Sequence, residues 1–555
     1  MKALLISDFS INNLSGYLKN ELAELRFQTT IAPFNQVHQV LLDFNLECWQ
    51  DEYDCAILWT QPERVLKSFQ SFLLHEPIEI EVILDEVEKF ASLVIPIAEK
   101  VKTIFIANWT VDVTLNHKGF LNTKPNIGVV DVLSQMNFVL TRVLSQAPNV
   151  YVLESSKWLL QAGENAYSPK LWYLSKTPFH SSVFASAATD ISSHIRNLDS
   201  IPRKVIVTDL DNTLWGGVIG DVGAENLILG GHNAKGEAFR DFQLGLKSMQ
   251  NRGVVLAIAS KNEELLAMSA IEQHPEMVLR KKDFVAWRIN WEDKAKNIFE
   301  IAQELNLGLE AVVFLDDNPF ERERVKHALP DVFVPDLPTD PMLYKSFLLK
   351  LNCFNSISSS EEDLKRTELY ALEKERTKSK EGFSSLEKWL ESIDIKVKCE
   401  ALQEDNFQRV LQLLNKTNQM NLSTCRYTES ELLAFKNEGN VVFYAFSVKD
   451  KFGDAGLTGV IGVKQDDNVL ILTDFLLSCR VIGRKIEETM LSFVIDLAIQ
   501  KECSTVVANY LKTDKNKPCL DFFKSSGFLE NGYQFTWECK KDYVRPFYVD
   551  LDFSA

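Results

Sequence analysis

Residues Val205 to Leu214 read V-I-V-T-D-L-D-N-T-L, an apolar run that ends in two aspartates one residue apart. In a strand the side chains of i and i+2 point to the same face. Asp209 and Asp211 can therefore converge on one substrate as soon as the strand ends. One carboxylate then attacks while the other handles protons. Asp209 is expected to attack phosphorus and form an aspartyl phosphate, with Asp211 protonating the leaving oxygen and then activating the water that releases phosphate. Two carboxylates facing an anionic substrate need a cation, and oxygen ligands favour Mg²⁺.

Three further pieces follow in an order that fits one doubly wound parallel sheet. Val254 to Ser260 (V-V-L-A-I-A-S) is a second apolar run ending in a hydroxyl, and Ser260 suits a phosphoryl oxygen. Lys294, in N-W-E-D-K, supplies a cation for the same oxygens. Ala311 to Asn318 (A-V-V-F-L-D-D-N) is a third buried strand ending in Asp316 and Asp317, a metal ligand and its support beside Asp209 and Asp211. Ligands of open α/β sheets sit beyond the carboxyl ends of the strands, where all these pieces would meet. Gly216 and Gly217, lacking side chains, let the backbone approach a phosphate. Thr213 and Lys261 complete the expected phosphate-binding set. The plainer alternatives are a strand-to-turn junction for D-x-D and a simple turn for the glycine pair.

This set of residues resembles the haloacid dehalogenase (HAD) phosphatase superfamily, and D-L-D-N-T-L-W-G-G-V-I-G-D at Asp209 to Asp221 is similar to its FkbH-like branch, subfamily IIIC. S-K-N at Ser260 to Asn262, I-N-W-E-D-K at Ile289 to Lys294, F-L-D-D-N-P-F-E-R at Phe314 to Arg322, T-N-Q-M-N-L-S-T at Thr417 to Thr424 and L-S-C-R-V-I-G-R at Leu477 to Arg484 match the same branch. The resemblance implies a multidomain α/β protein. Its parts would be an SGNH-hydrolase-like domain over residues 1–200, a HAD-like doubly wound parallel sheet over 201–350, a helical linker over 351–392 and a GNAT-like α+β acyltransferase domain over 393–555. It implies Mg²⁺ as cofactor and, as activity, removal of phosphate from 1,3-bisphosphoglycerate with transfer of the glyceryl unit to an acyl carrier protein in polyketide-type biosynthesis. Two other readings stand beside it: a stand-alone phosphatase of another small phosphate ester, and a carrier-protein docking factor whose catalysis is incidental. Many FkbH-like sequences carry cysteine between the two aspartates, but this chain has Leu210 there. A covalent relay would then use Cys479 or another thiol, unless transfer goes directly to the carrier. Ala455, in F-G-D-A-G, is a second departure on the acyl-transfer side.

A chain of 555 residues exceeds a single core and should hold more than one domain. A formal net charge of −17 argues against a nucleic-acid surface, because phosphate backbones are bound by clustered Lys and Arg. An acidic carrier protein would need a local basic patch. The nine cysteines contain no C-x-x-C pair, so neither a zinc site nor a disulfide framework is indicated. Met1 to Ser7 lacks a signal-peptide pattern and no apolar stretch reaches the ~18–20 residues of a membrane helix. These features lead us to expect a cytoplasmic protein without a membrane partner.

The first segment alternates short apolar runs (Lys2–Ile6, Cys55–Leu58, Thr103–Ile106, Val150–Leu153) with amphipathic stretches, an α/β pattern. Its amino-terminal string is I-S-D-F-S, without the G-D-S of an SGNH nucleophile. Ser7 and Ser10 are weak nucleophile candidates, with Asn108 for the oxyanion and His180 as base, and a scaffold or docking role is the plainer reading. Only about forty residues separate the first two phosphatase strands, too few for a large cap. The stretch Glu361 to Leu390, rich in Glu, Lys, Arg and Leu, reads as an exposed helix whose charges serve solvation, with Ser356 to Ser360 capping its start. In the last segment Arg480-Val481-Ile482-Gly483-Arg484-Lys485 keeps the first four positions of the GNAT pyrophosphate turn, R/Q-x-x-G-x-G/A, but puts Lys485 where a small residue belongs. A phosphopantetheine arm is then the expected guest, with Arg480, Gly483, Arg484 and Lys485 around its phosphate at a helix amino terminus. Cys479 beside Arg480 should be a reactive thiol, and Asn418 and Gln419, with Thr417 and Asn421, should hold an acyl group or its oxyanion.

Overall fold

A computed structural model describes residues 1–112, 119–199, 203–354, 366–380 and 382–554. Residues 1–198 with 428–430 form one compact unit, and 199–427 with 431–555 form a second. Within the first, the apolar runs become β1 (Lys2–Ile6), β2 (Gln28–Ile31), β3 (Cys55–Leu58), β4 (Thr103–Ala107) and β5 (Val150–Leu153), ordered β2-β1-β3-β4-β5. All its pairings are parallel. Parallel neighbours need crossovers, and the amphipathic stretches supply them as helices that cover both faces. Leu4 and Ile6 pack with Phe90 and Met136 on one face, while Ala3 and Leu5 pack with Phe184 and Ile191 on the other.

The second unit carries two sheets. The first of these contains β6 (Val205–Thr208), β7 (Val255–Ser260), β8 (Phe284–Ile289) and β9 (Val312–Leu315), ordered β8-β7-β6-β9 and wholly parallel. β6, β7 and β9 are buried throughout, which is why they read as unbroken apolar runs. Alternation again splits the core: Ile206, Leu256 and Val313 face one side, and Val207, Ala257 and Phe314 the other.

The other sheet comprises β10 (Ile395–Ala401), β11 (Met420–Asn421), β12 (Val442–Asp450), β13 (Gly453–Asp466), β14 (Val469–Leu477), β15 (Thr505–Asn509), β16 (Leu529–Asn531), β17 (Gln534–Glu538) and β18 (Val549–Ser554). Its order is β16-β17-β15-β14-β13-β12-β10-β18, with β11 pairing β14. Most neighbours are antiparallel; β14 with β15 and β10 with β18 are parallel.

The linker differs from its sequence reading. The helix Arg366–Lys380 is not merely a solvated rod. Arg376 is buried and donates from Nε and Nη2 to the two oxygens of Asp450 at 2.7 and 2.9 Å. Lys374 lies 4.2 Å from the Trp287 ring centroid and donates to the Val285 carbonyl, so this helix contacts both sheets of the unit. The expected serine cap at Ser356 to Ser360 lies outside the described residues. Among the described residues no helix is long and apolar enough to cross a membrane.

Candidate active site

Asp209 follows β6 directly and keeps the pairing going by one residue, its amide donating to the Leu315 carbonyl at 2.9 Å. Asp316 and Asp317 follow β9, the neighbour of β6, so the sheet itself brings the carboxylates together. One oxygen from each of Asp209, Asp316 and Asp317 lies within 4.8 Å of the others. Lys294 enters from the first turn of the helix Lys294–Glu304, whose start Asp293 fixes by accepting from the amides of Ala295 and Lys296. Its ammonium stands 2.6 Å from Asp316 Oδ2 and 3.1 Å from Asp209 Oδ1. Lys294 therefore lies between the carboxylates.

Burial and then the Asp209 charge raise the pKa of Asp316, against the pull of Lys294 and of the Asn318 amide. Asp317 is raised by the same two causes. Burial works against the Lys294 ammonium, but Asp209 and Asp316 together outweigh it and hold the proton on. Three crowded carboxylates with one cation leave an excess of negative charge. Asp209 Oδ1 is buried and makes no hydrogen bond, although Lys294 is near. An all-oxygen set of three carboxylates with a single ammonium between them fits a hard divalent cation such as Mg²⁺.

Asp211 is not part of this group. Its Oδ1 accepts from Trp215 Nε1 at 2.8 Å and from the Ile219 amide at 3.2 Å, and its Oδ2 accepts from Asn262 Nδ2 at 3.0 Å. The strand ends at Thr208, so the i, i+2 rule no longer fixes where Asp211 points. Its expected place as a metal-ligating carboxylate is corrected accordingly. Thr213 Oγ1 bonds Asp317 Oδ1 and accepts from its amide, supporting the metal group instead of facing a substrate. Ser260 is buried and its Oγ accepts from Asn262 Nδ2. Lys261 pairs with Glu321 at 2.6 Å.

The glycine pair is also corrected. Gly216 exchanges both backbone bonds with Ile228, and Gly217 donates its amide to Asn212 Oδ1 at 2.9 Å. Both amides are taken by acceptors within the chain. Glycine is required at Gly216 because a Cβ would stand 2.8 Å from the Phe239 ring, and at Gly217 by a φ of +100°. Leu210, between the aspartates, is a core residue.

Sequence reasoning passed over three supports. Arg322 donates to the Asp316 and Asp317 carbonyls, each at 2.8 Å, and so holds the carboxylate loop from beneath. Asn262 ties Asp211 to Ser260, and Trp215 sets the direction of Asp211. All three lie inside the motif strings, which was the available signal.

The remaining candidates are more dispersed. Asn418, Gln419 and Arg480 line a cavity of about 470 Å³. The side chain of Cys479 lies outside the described residues. Gly483 donates its amide to Glu487 Oε1 at 3.0 Å, so the turn before the helix Ile486–Gln500 is filled by the chain's own carboxylate. Arg484 is buried against Asp450 and Glu373, and Lys485 pairs with Glu488. Gly483, Arg484 and Lys485 are therefore engaged internally and do not form the expected phosphate cradle. In the amino-terminal unit Asn108 Oδ1 accepts from the Ser155 amide, Ser7 accepts from the Phe9 amide, Ser10 from Asn12, and His180 contacts Ser182. These contacts do not link the four residues into a relay.

A scan against family models and a search of curated proteins return no match to this chain. Among solved structures the chain is similar to the N-terminal part of the protein BF1531 from Bacteroides fragilis, described as containing a phosphatase domain complexed with Mg. Identity is 29%, coverage 64% of this chain and 94% of that one, and the TM-score 0.57. It also matches a point mutant of the spermidine N-acetyltransferase SpeG from Vibrio cholerae at 13% identity, covering 26% of this chain and 95% of that one, TM-score 0.21. A third match is the ribosomal-protein-S18-alanine N-acetyltransferase from Escherichia coli at 9% identity, covering 26% and 96%, TM-score 0.22.

Proposed function

We propose that the protein is a Mg²⁺-dependent phosphatase that works through an aspartyl-phosphate on Asp209. The observation that carries this reading is the meeting of Asp209, Asp316 and Asp317 within 4.8 Å, with Lys294 between them, at the carboxyl edge of a parallel sheet. The likeness to a Mg-bound phosphatase-domain structure supports it. Asp209, Asp316 and Asp317 would hold the cation, which shields the phosphoryl charge and polarises the P–O bond when bound. An Asp209 oxygen attacks phosphorus, the bond to the leaving oxygen breaks, and that oxygen takes a proton from Asp211. In the second half Asp211 removes a proton from water, the water oxygen attacks phosphorus, and the Asp209–phosphorus bond breaks to release orthophosphate. Lys294 holds Asp209 in place through its ion pair at 3.1 Å.

The substrate class we infer from the motif strings is a phosphorylated three-carbon acyl donor, 1,3-bisphosphoglycerate, with an acyl carrier protein as acceptor. The chemistry then divides by phosphate. Cleaving the acyl phosphate at phosphorus would discharge the carbonyl as a carboxylate, so the Asp209 site must act on the ester phosphate. The acyl phosphate is spent when the carrier thiol attacks the carbonyl and phosphate leaves. Intact mass of a carrier protein after incubation with enzyme, Mg²⁺ and 1,3-bisphosphoglycerate tests the acceptor, and an unchanged mass alongside phosphate release would favour a stand-alone phosphatase. Asp209→Asn tests the core. Phosphate release should fall by about 10³-fold or more with the fold retained, and activity within about tenfold of the parent would sink the assignment.

A further inference from the structure

The turn from Asp209 to Thr213 serves the carboxylate group at both ends. Asp209 is a member of that group, and Thr213 Oγ1 bonds Asp317 Oδ1 and accepts from the Asp317 amide. Between them Asn212 turns the chain with a φ of +54°, a left-handed backbone that asparagine tolerates better than most side chains. Its side chain stays within the loop, Oδ1 accepting from the Gly217 amide at 2.9 Å. The Leu210 carbonyl accepts from the amides of Thr213 and Leu214 at 3.1 and 2.8 Å. The peptide that joins Asn212 to Thr213 is thus held at its N–H end by the loop itself.

Its carbonyl end is held from outside the loop. Tyr344 Oη donates to the Asn212 carbonyl at 3.3 Å from a position 132 residues further along the chain. Tyr344 opens the helix Tyr344–Leu349, and it is 2% exposed. Its ring stands edge-on to Phe239 and Phe242, with centroids 6.0 and 5.4 Å away. Lys345 ties the same helix to Asp241 at 2.8 Å, and Asp340 fixes the preceding turn by accepting from the Met342 amide at 3.0 Å. Packing therefore aims the hydroxyl, and a bond of this length contributes direction more than strength. Burial and then the Asp317 charge push the Tyr344 pKa up to about 12, so the hydroxyl keeps its proton and remains a donor.

We propose that Tyr344 is a positioning residue of the metal centre: by fixing the Asn212–Thr213 peptide it keeps the Thr213 hydroxyl on Asp317, and with it the carboxylates in the arrangement that takes the cation. The inference rests on the reading of Asp209, Asp316 and Asp317 as the cation site. Hydrogen bonds behind a metal's ligands set the direction of those ligands, and losing one costs about 10–100-fold in metal affinity. Tyr344 stands one link further back than Thr213. Arg322 also goes on holding the Asp316 and Asp317 carbonyls when Tyr344 is gone. The loss should then be partial, about five- to tenfold.

The test is calorimetric titration of the full-length protein with Mg²⁺ alone, without substrate. Tyr344→Phe keeps the ring against Phe239 and Phe242 and removes the donor, and it should raise the Mg²⁺ Kd by about five- to tenfold. Lys345→Ala cuts a half-exposed ion pair of the same helix but leaves the hydroxyl, and should stay within about twofold of the parent Kd. The melting temperature without metal reads packing separately, since a contact that serves folding alone would lower it and leave the Kd where it was. The inference is overturned if folded Tyr344→Phe binds Mg²⁺ as the parent does, or if Lys345→Ala raises the Kd as much as Tyr344→Phe. Should Tyr344→Phe fail to fold, Thr213→Val breaks the same route at its next link and should raise the Kd by about tenfold or more; an unchanged Kd there overturns the inference as well. A parent protein that takes up no Mg²⁺ would remove the cation reading and this inference with it. A parent that binds beside an unaffected variant removes this inference alone.

Discussion

Trp215 Nε1 donates to Asp211 Oδ1 at 2.8 Å, and Asn262 Nδ2 donates to the other oxygen at 3.0 Å. Giving a proton to a leaving oxygen requires one of these bonds to yield, so Trp215 tunes the proton step without touching the metal group. Trp215→Phe should lower kcat by about tenfold, less than the ~10²–10⁴-fold that a whole acid–base group contributes, while KM stays near the parent value. Gly216→Ala should destabilise the phosphatase core by about 1–3 kcal/mol, because its Cβ would press on the Phe239 ring and on Ile228. A urea titration followed through the core tryptophan fluorescence would read this. Asp8, two residues after β1, is buried beside Arg64, and burial lifts its pKa from 3.8 to about 7, with the Gln61 amide and Arg64 pulling the other way. A raised carboxyl pKa means the folded state holds the proton more tightly. The resulting stabilisation is complete below 3.8 and is lost as pH rises through about 7. The unit containing β1 should have a higher urea midpoint at about pH 5 than at about pH 8, and Asp8→Asn should flatten that difference.

Elements were legible where burial is two-sided. β6, β7 and β9 are buried at every position and apolar but for the closing Thr208 of β6 and Ser260 of β7, so composition marks them, and the end of each is where a parallel sheet exposes chemistry. β10, I-K-V-K-C-E-A, and β18, V-D-L-D-F-S, alternate with charges and pair with each other only through contacts about 150 residues apart, which a linear reading does not reveal. The meeting of Asp209, Asp316 and Asp317 follows from strand order and was readable. The direction of Asp211 depends on a loop and was not. The turn at Gly483 read as an anion cradle because its residue types fit, yet Glu487 from the first turn of the next helix bonds the Gly483 amide. Burial raises the Glu487 pKa, and its second oxygen has no hydrogen bond, so a neutral amide should serve as well. Glu487→Ala should cost about 1–2 kcal/mol and Glu487→Gln much less, measured by thermal denaturation. Equal losses from both would show that charge, not the amide bond, is what Glu487 provides.

At the scale of the whole second unit, the linker helix Arg366–Lys380 acts as a structural strut and not as a tether. Asp450, at the end of β12, receives Arg376 at 2.7 and 2.9 Å and Arg484 at 3.2 Å, and Glu373 of the same helix contacts both arginines. Arg376, Arg484 and Asp450 are 2%, 3% and 6% exposed, so solvent does little to screen them. Two guanidinium groups thus share one buried carboxylate, and the partly exposed Glu373 supplies the remaining charge. In such an arrangement the pairing energy roughly offsets desolvation, but removing one member leaves its partners charged and buried. Asp450→Asn keeps the volume and removes the charge that two arginines depend on. The substitution should destabilise the third sheet by about 3–5 kcal/mol and loosen the helix from β12. Hydrogen exchange should then rise together in the peptides carrying residues 366–380 and β12 while the peptides around Asp209 keep their protection. A loss below about 1 kcal/mol, or exchange confined to β12, would mean that Glu373 and water satisfy both arginines and that the helix is held instead by Lys374 on Trp287 and Leu372 against Gly453.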